Sequence, residues 1–194
     1  DGRLIMYLIT MICAKLNVSI EIYVIGTLLG ALLISAGCVI KLKNTILKNG
    51  ESNLKKEILI TIASFFTIFN FMYIENMYFV EAIVMALSLL AFIYSADFIV
   101  NNKGIKNKSI ALILAIIGVI AYQGTAGFLI IVTFVFSLLK NKVELKDSKK
   151  NIKTNIKQIL MDVFVAGVCA LIGICINMLI VNVIGDITGK LQTR

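Results

Sequence analysis

Long apolar stretches alternate along the chain with shorter stretches that are rich in lysine. The apolar stretches that are long enough to cross a membrane cover residues 22–40, 58–74, 82–100, 109–139 and 163–185. About 20 mostly apolar residues span the hydrocarbon core of a bilayer as an α-helix. The pattern therefore predicts an all-α polytopic membrane protein, and the 59% of hydrophobic residues agrees with this class.

The longest apolar stretch, Ser109 to Leu139, has 31 residues and no charged side chain. As one helix it would be roughly 46 Å long, against a hydrocarbon core of about 30 Å. Its middle carries a polar segment that begins Tyr122-Gln123-Gly124. The stretch therefore predicts either one overlong span or a helical hairpin whose tip lies at Tyr122 and Gln123.

The distribution of lysine decides between these two interpretations. A hairpin places both of its flanks on one side, and the loops 41–56, 101–108 and 140–157 then hold fifteen lysines on the cytoplasmic face, with four basic residues outside. A single span would instead give ten basic residues inside and nine outside, which is no bias. Because cytoplasmic loops carry an excess of Lys and Arg, we predict the hairpin.

Counting both limbs of the hairpin, we predict about six transmembrane helices. Residues 1–18 contain only eleven consecutive apolar residues, so we expect one interfacial helix there. The basic segment 140–157 predicts a further helix lying on the inner leaflet. The topology places residues 1–18 and the C-terminus outside the cytoplasm. We interpret residues 1–194 as a single transmembrane domain of a longer chain, because the first residue is aspartate rather than methionine.

The composition argues against several kinds of chemistry. The chain has no histidine, and its four cysteines lie within apolar runs without a C-x-x-C pair, so we expect no metal site. It contains neither of the glycine-rich phosphate-binding motifs, so we expect no nucleotide and no cofactor. The net charge of +8 comes from lysines between apolar segments, which predicts contact with anionic lipid headgroups rather than with nucleic acid.

In this topology, polar side chains gather on the outer face. They include Asp1, Arg3, Glu75, Tyr122 and Gln123. Polar side chains at membrane depth usually line a cavity. A carboxylate beside an arginine suits glycosyl transfer from a lipid-phosphate sugar, because the carboxylate takes the hydroxyl proton and the guanidinium neutralises the phosphate leaving group. The alternatives are a helix cap for Asp1 and an interfacial anchor for Arg3.

Three short motifs resemble those of a known family. Asp1-Gly2-Arg3 before a short apolar helix is similar to the first outer loop of the bacterial glucosyl transferase II family. The aromatic and acidic segment 71–78 resembles that family's second outer loop, although it lacks the proline often found there. The Tyr-Gln pair at the hairpin tip resembles a third motif, and the three occur in the family's order.

The resemblance implies a GT-C-like fold and an inverting O-antigen-type glucosyltransferase. Its donor would be a polyprenyl-phosphate sugar, carrying a hexose such as glucose, and its acceptor a cell-surface glycan. The reaction would take place on the extracytoplasmic side of the bacterial cytoplasmic membrane, among membrane lipids. Carried over residue by residue, Asp1 becomes the catalytic base, and Arg3, Glu75, Tyr122 and Gln123 become substrate-binding residues.

The competing interpretation is a non-enzymatic carrier or flippase subunit for a lipid-linked or small polar solute. A carrier needs intramembrane polar groups that reach both sides of the membrane. The inner halves of the spans are nearly uniformly apolar apart from Asp97 and Asp162 near the boundary, which favours a site on one side only. We interpret Asn177 and Asn182, within the last span, as interhelical hydrogen-bonding residues.

Overall fold

The computed structural model describes residues 4–48, 53–77, 79, 81–102, 104–147 and 152–192. These residues form eight α-helices and one 3₁₀ turn, and they contain no β-strand, so the all-α prediction is confirmed. In chain order the elements are α1 (Leu4–Lys15), α2 (Ile20–Leu47), α3 (Leu54–Ile68), α4 (Phe71–Asn76), α5 (Ala82–Asn101), α6 (Ile105–Ala121), the 3₁₀ turn (Gln123–Thr125), α7 (Ala126–Asp147) and α8 (Ile152–Gln192).

Among the described residues, four segments are long and apolar enough to cross a membrane. They are Ile20–Leu47, Ala82–Asn101, Gln123–Asn141 and Asn155–Val183. Large apolar side chains are exposed along α2, α7 and α8, where contact with lipid costs nothing. The chain is therefore a multi-pass membrane protein. The predicted number of about six crossing helices is not confirmed, because α3 and α6 have only 15 and 17 residues.

The single span predicted over residues 58–74 is wrong. α3 ends at Ile68, and Asn70 begins the separate short helix α4. The Asn70 Oδ1 accepts a hydrogen bond from the Tyr73 N–H at 3.0 Å, while its Nδ2 donates to the Thr67 carbonyl at 3.1 Å. One side chain thus satisfies backbone groups at the end of α3 and the start of α4, so the helix breaks inside an apolar run without a proline.

The separate basic helix predicted over 140–157 is also wrong. α7 continues to Asp147 and α8 begins at Ile152, so the described lysines of this segment lie in the last turns of α7 and the first turns of α8. Residues 148–151 lie outside the described part of the chain.

α1 is a separate short helix, as predicted for residues 1–18, and it turns sharply into α2. Asn17 has a positive φ of 51°, a conformation that Asn tolerates better than most residues. The Val18 N–H donates to the Cys13 carbonyl at 3.0 Å and closes the end of α1. The Ser19 Oγ then accepts from the Ile22 N–H at 3.4 Å and caps α2. α1 packs against α6.

α5 is the central helix and packs against α2, α6, α7 and α8. Small residues bring these helices close together, as expected where packing drives association between membrane helices. A Cβ at Gly118 would lie 2.6 Å from Cε1 of the buried Phe92 ring. A Cβ at Gly173 would lie 2.9 Å from Cγ2 of the buried Val119. Both glycines therefore leave space that a side chain of a neighbouring helix fills.

The stretch from Ser109 to Leu139 forms the predicted hairpin rather than one continuous helix. α6 ends at Ala121, and Tyr122 is extended with φ −155° and ψ 101° before the 3₁₀ turn and α7. The two limbs pack mainly against α5 and α8, and only slightly against each other. The positions of α5 and α8 therefore determine where the hairpin tip lies.

Candidate functional site

Two hydroxyl groups anchor the hairpin tip to α5. The Tyr122 carbonyl oxygen lies 2.9 Å from the Thr125 Oγ1 and 3.3 Å from the Ser88 Oγ. The two hydroxyls are 2.6 Å apart, so one donates to the carbonyl and the other donates to its neighbour. The break after α6 leaves this carbonyl with only the Thr125 N–H, at 3.3 Å, as a backbone donor, and the two hydroxyls add to that contact in an apolar environment.

The second anchor of the tip is an amide pair between the 3₁₀ turn and α8. The Asn177 Nδ2 donates to the Gln123 Oε1 at 3.2 Å. Asn177 is only 1% exposed, whereas Gln123 is exposed. The interhelical role predicted for Asn177 is confirmed, while Asn182, five residues further along α8, is exposed. Gln123 is therefore a polar side chain at the surface of the bundle, and its position is restricted by the hydrogen bond from the buried Asn177.

Glycine at position 124 makes room for the Tyr122 ring. A Cβ at Gly124 would lie 2.8 Å from the Tyr122 Cε1, which is closer than real Cβ contacts. Tyr122 is half-buried, so its ring rests on the turn and does not extend freely away from it. Gly127, three residues further on, has open space around its Cβ position.

The hairpin tip is recessed relative to the ends of the neighbouring helices. Asn177, which contacts the tip, is followed by fifteen more residues of α8, or about 22 Å of helix. On the other side, Gly30 of α2 lies beside Ile83 at the start of α5, and ten residues of α2 precede it, or about 15 Å. Both helices extend past the tip, so Tyr122 and Gln123 lie below the level of these ends.

Glu75 lies on a different element from the hairpin tip. Its helix, α4, is anchored to α2 through Tyr73, whose hydroxyl lies 2.5 Å from the buried Ser35 Oγ. Glu75 itself is exposed. Tyr122 and Gln123 are thus held by contacts with α5 and α8. Glu75 is carried by α4, which is held by a contact with α2.

Asp1 and Arg3 lie outside the described residues. The helix that follows them, α1, is held by the buried Met6 and by its packing against α6, the limb that ends at the hairpin tip. The Thr10 Oγ1 also lies 3.0 Å from the Tyr23 hydroxyl of α2.

At the opposite end of the bundle, the charged side chains of α2 and α5 pair with each other. The Lys41 Nζ lies 2.5 Å from the Asp97 Oδ2 and 4.6 Å from the centre of the Tyr94 ring. The Asn101 Nδ2 donates to the other oxygen of Asp97 at 2.7 Å. The carboxylate therefore has a counter-ion and a neutral donor within the protein.

Asp162 of α8 is the second carboxylate at this end, and it is also satisfied within the bundle. It is 6% exposed. The Ser137 Oγ donates to one of its oxygens at 2.6 Å, and the Gln158 Nε2 donates to the other at 2.9 Å. The Asn141 Nδ2 donates in turn to the Ser137 carbonyl at 2.7 Å. Sequence reasoning identified Asp97 and Asp162 only as boundary charges and missed these partners.

A groove of about 260 Å³ lies between α2 and α3, near the same end of the bundle as Asp97. Its lining is Lys43, Leu54, Glu57, Ile58, Thr61 and Ile62. Lys43 and Glu57 lie 3.5 Å apart and pair across it. This groove is far along α2 from Gly30, so it is separate from the hairpin tip. In the part of the chain that the structure describes, no three Asp, Glu, Cys or His residues group as metal ligands.

With this geometry established, comparison with known proteins shows the family. A family model described as glucosyl transferase GtrII matches residues 1–193. The chain belongs to this family. The matched range includes all eight of the described helices, so the family match extends over the whole described bundle. No curated protein and no solved structure matches the chain.

Three residues position the hairpin tip of this glucosyltransferase family member; sequence reasoning missed Ser88 and Thr125, and it predicted Asn177 as an interhelical residue without linking it to the tip. Ser88 and Thr125 anchor the turn, and Asn177 holds Gln123. Asn177 had a usable signal, since an amide in the middle of an apolar span needs a partner. Ser88 had none, because a serine in an apolar helix can equally bond to its own backbone.

Proposed function

We propose that the protein transfers glucose from polyprenyl-phosphate glucose to a cell-surface glycan on the outer side of the bacterial cytoplasmic membrane. The observation that carries this proposal is the recessed polar tip at Tyr122 and Gln123, in a chain that belongs to a glucosyl transferase family. Such a tip, within an otherwise apolar bundle, suits a lipid-linked sugar whose tail remains in the bilayer while its polar head meets polar side chains.

In the proposed reaction, Asp1 is the general base and removes the proton of the acceptor hydroxyl. The hydroxyl oxygen forms a bond to the anomeric carbon of glucose from the face opposite the phosphate. The bond between that carbon and the phosphate oxygen breaks, and polyprenyl phosphate leaves with the electron pair. The result is inversion at the anomeric carbon, and no nucleotide takes part in the step. Arg3 neutralises the leaving phosphate with its two-pronged guanidinium.

Three further residues are proposed to bind the substrates. Tyr122 and Gln123 contact the sugar at the recessed tip, where Gln123 is exposed and held by Asn177. Glu75 is exposed on α4 and accepts hydrogen bonds from sugar hydroxyl groups. The proposed arrangement is GT-C-like, with the active site on the outer side of a helical bundle. Residues 1–18 and the C-terminus lie on that side.

The test is the substitution Asp1→Asn in the full-length protein. Asparagine caps a helix about as well as aspartate but is not a base. We expect normal insertion and a loss of roughly 10²–10⁴-fold in glucose transfer from polyprenyl-phosphate glucose, normalised to inserted protein. Asp1→Glu, which keeps the carboxylate, should retain more activity than Asp1→Asn. Arg3→Lys keeps the charge but not the two-pronged contact, and it should lose less.

Wild-type transfer by Asp1→Asn would remove Asp1 from the mechanism and leave Glu75 as the next candidate base. Absence of transfer by the wild-type protein itself, with lipid-linked glucose and a glycan acceptor present, would overturn the proposed activity.

One observation bears on the carrier interpretation. It is the polar network around Asp97 and Asp162 at the proposed inner end of the bundle. A translocation path would have to connect this network with the hairpin tip. The side chains of Phe92, Leu129 and Phe136, each less than 2% exposed, lie between the two regions along α5 and α7. This packed apolar layer argues for a one-sided site and against a carrier.

A further inference from the structure

The amide pair at the hairpin tip is asymmetric. The Gln123 Oε1 is occupied by the Asn177 Nδ2 at 3.2 Å. The Gln123 Nε2 makes no hydrogen bond to any described residue, and Gln123 is exposed. Its nitrogen is therefore a donor available at the surface of the recess, whereas its oxygen is already used.

The burial of Asn177 favours one of the two possible orientations of the Asn177–Gln123 amide pair. Asn177 is 1% exposed, and its Oδ1 lacks a hydrogen-bond partner among the described residues. The reverse arrangement, with the Asn177 oxygen accepting from Gln123, would leave both N–H groups of the buried Asn177 amide in need of other acceptors, whereas the observed one leaves a single N–H and the oxygen. An unsatisfied buried N–H is rarer than an under-satisfied carbonyl, so the observed orientation is favoured.

The backbone beneath Gln123 is held as well. The preceding carbonyl, that of Tyr122, is tied to Ser88 and Thr125, and the turn is closed by the Thr125 N–H. The remaining freedom at Gln123 lies in its side chain, and Asn177 restricts that freedom.

Building on the proposed function, we propose that Asn177 is a positioning residue for the donor sugar. It holds the Gln123 carboxamide with its Nε2 directed away from α8, so that Gln123 donates to an acceptor oxygen of polyprenyl-phosphate glucose. Both a sugar hydroxyl oxygen and a phosphate oxygen have this chemistry. The role of Asn177 extends beyond joining helices, because its hydrogen bond determines which group the exposed amide offers to the substrate.

The test compares Asn177→Leu, Gln123→Leu and the double variant in membranes of the full-length protein. Asn177→Leu keeps the shape but removes the orienting bond. We expect KM for polyprenyl-phosphate glucose to rise roughly three- to tenfold with kcat little changed, since the lost contact is made in both ground and transition states. Gln123→Leu should raise KM at least as much. The double variant should be no worse than Gln123→Leu, because Asn177 acts through Gln123.

Asn182→Leu is the matched control, since Asn182 is an exposed asparagine on the same helix. It should keep the wild-type KM. An unchanged KM for Asn177→Leu, or additive effects in the double variant, would overturn the proposal. A purely structural Asn177 would lower the amount of active protein and leave KM alone.

A second variant keeps the proposal testable if Asn177→Leu fails to insert. In Gln123→Glu one carboxylate oxygen still accepts from Asn177, but the outward group becomes an acceptor instead of a donor. KM should rise, and a wild-type KM would contradict the proposal. If the wild-type protein transfers no glucose from the lipid-linked donor, the proposed function fails, and this inference fails with it.

Competition with polyprenyl phosphate that carries no sugar distinguishes the two acceptor oxygens. If Gln123 donates to phosphate, Gln123→Leu should weaken inhibition by the sugar-free lipid as much as it weakens donor binding. If Gln123 donates to a sugar hydroxyl, inhibition should be unchanged while the KM for the glucose-bearing lipid rises. An unchanged KM for the glucose-bearing lipid, together with unchanged inhibition by the sugar-free lipid, would overturn donation to the substrate.

Discussion

The two polar regions of this bundle differ in how their hydrogen-bonding groups are used. At the end of the bundle that we predict to face the cytoplasm, here called the inner end, both oxygens of Asp97 and both oxygens of Asp162 accept bonds from the protein itself. At the hairpin tip, Gln123 is exposed and uses only its oxygen, and the buried Asn177 Oδ1 has no partner among the described residues. The carboxylates of the inner end are satisfied within the protein, whereas the tip has an exposed amide whose nitrogen makes no hydrogen bond to a described residue.

In the proposed function the substrate binds at the tip, although the charged side chains with described contacts, such as Asp97 and Asp162, lie at the inner end. The inner end contains the carboxylates, yet their partners leave little capacity to bind anything else. The hairpin tip has no charged side chain, but its groups are incompletely satisfied and recessed below the ends of α2 and α8. Incomplete satisfaction together with exposure is what a binding site needs.

The largest expected effect is the difference in cysteine labelling between loops on the two sides of the membrane, which should be all-or-none. Single cysteines replacing Asn49, Asn102 or Ser148, in a background without native cysteines, should resist an impermeant thiol reagent in whole cells. A cysteine replacing the exposed Lys15, the last residue of α1, should react readily. Labelling of Ser148→Cys with protection of Asn49→Cys would overturn the hairpin topology.

Asp162→Asn tests whether the inner network is structural. The new amide is neutral, so the bonds from the Ser137 hydroxyl and the Gln158 amide lose their charged acceptor, and one of these two groups has to turn from donor to acceptor. We expect the free energy of unfolding to fall by about 2–3 kcal/mol, with glucose transfer per folded molecule unchanged. Unfolding in mixed micelles gives the first quantity. Lys157→Gln, exposed on the same helix, is the control and should change neither. Loss of transfer with normal stability would assign the network to the reaction.

Gly118→Ala tests the packed layer between the two regions. The new Cβ would lie 2.6–2.9 Å from three atoms of the buried Phe92 ring, so the ring has to move. We expect a loss of roughly 1–3 kcal/mol of stability, measured by thermal unfolding in detergent. Gly167→Ala has open space and should be neutral or slightly stabilising, because alanine favours helix. Equal stability of the two variants would contradict the described packing of α5 against α6.

Gly124→Ala should have the smallest effect and act only at the tip. The added methyl group would displace the Tyr122 ring from its position 2.8 Å from that site. We expect transfer to fall roughly three- to tenfold, the equivalent of about one hydrogen bond, while stability changes little. Gly127→Ala has open space and is the matched control. If both alanine variants transfer alike, the position of the Tyr122 ring has no part in the reaction.

The helical membrane class and the hairpin were predictable because both follow from length and charge. The 31-residue apolar stretch is too long for one span. Lysines occur on both of its flanks, and only a hairpin places both flanks on the same, lysine-rich side. The break within 58–74 was not predictable in this way. It depends on a single asparagine that caps two helix ends, and Asn70 resembles any other polar residue near the end of a span.

The candidate site was predictable in part for the same reason. Tyr122 and Gln123 stood out as the polar break in an apolar run, and the structure places them at the turn between α6 and α7. Their supports come from residues 34 to 54 positions away, Ser88 and Asn177, and one sequence does not reveal such pairings. Glu75 was linked to the tip by topology, yet the structure places it on a helix held by α2.

The most direct test of the account is the sidedness of the reaction. Sealed membrane vesicles of both orientations, right-side-out and inside-out, would receive a water-soluble glycan acceptor on the outside only, with polyprenyl-phosphate glucose already in the membrane. We predict glucose transfer in right-side-out vesicles, where the hairpin tip faces the added acceptor, and none in intact inside-out vesicles until they are opened. Transfer in intact inside-out vesicles, with none in right-side-out ones, would contradict a site at the outer hairpin tip.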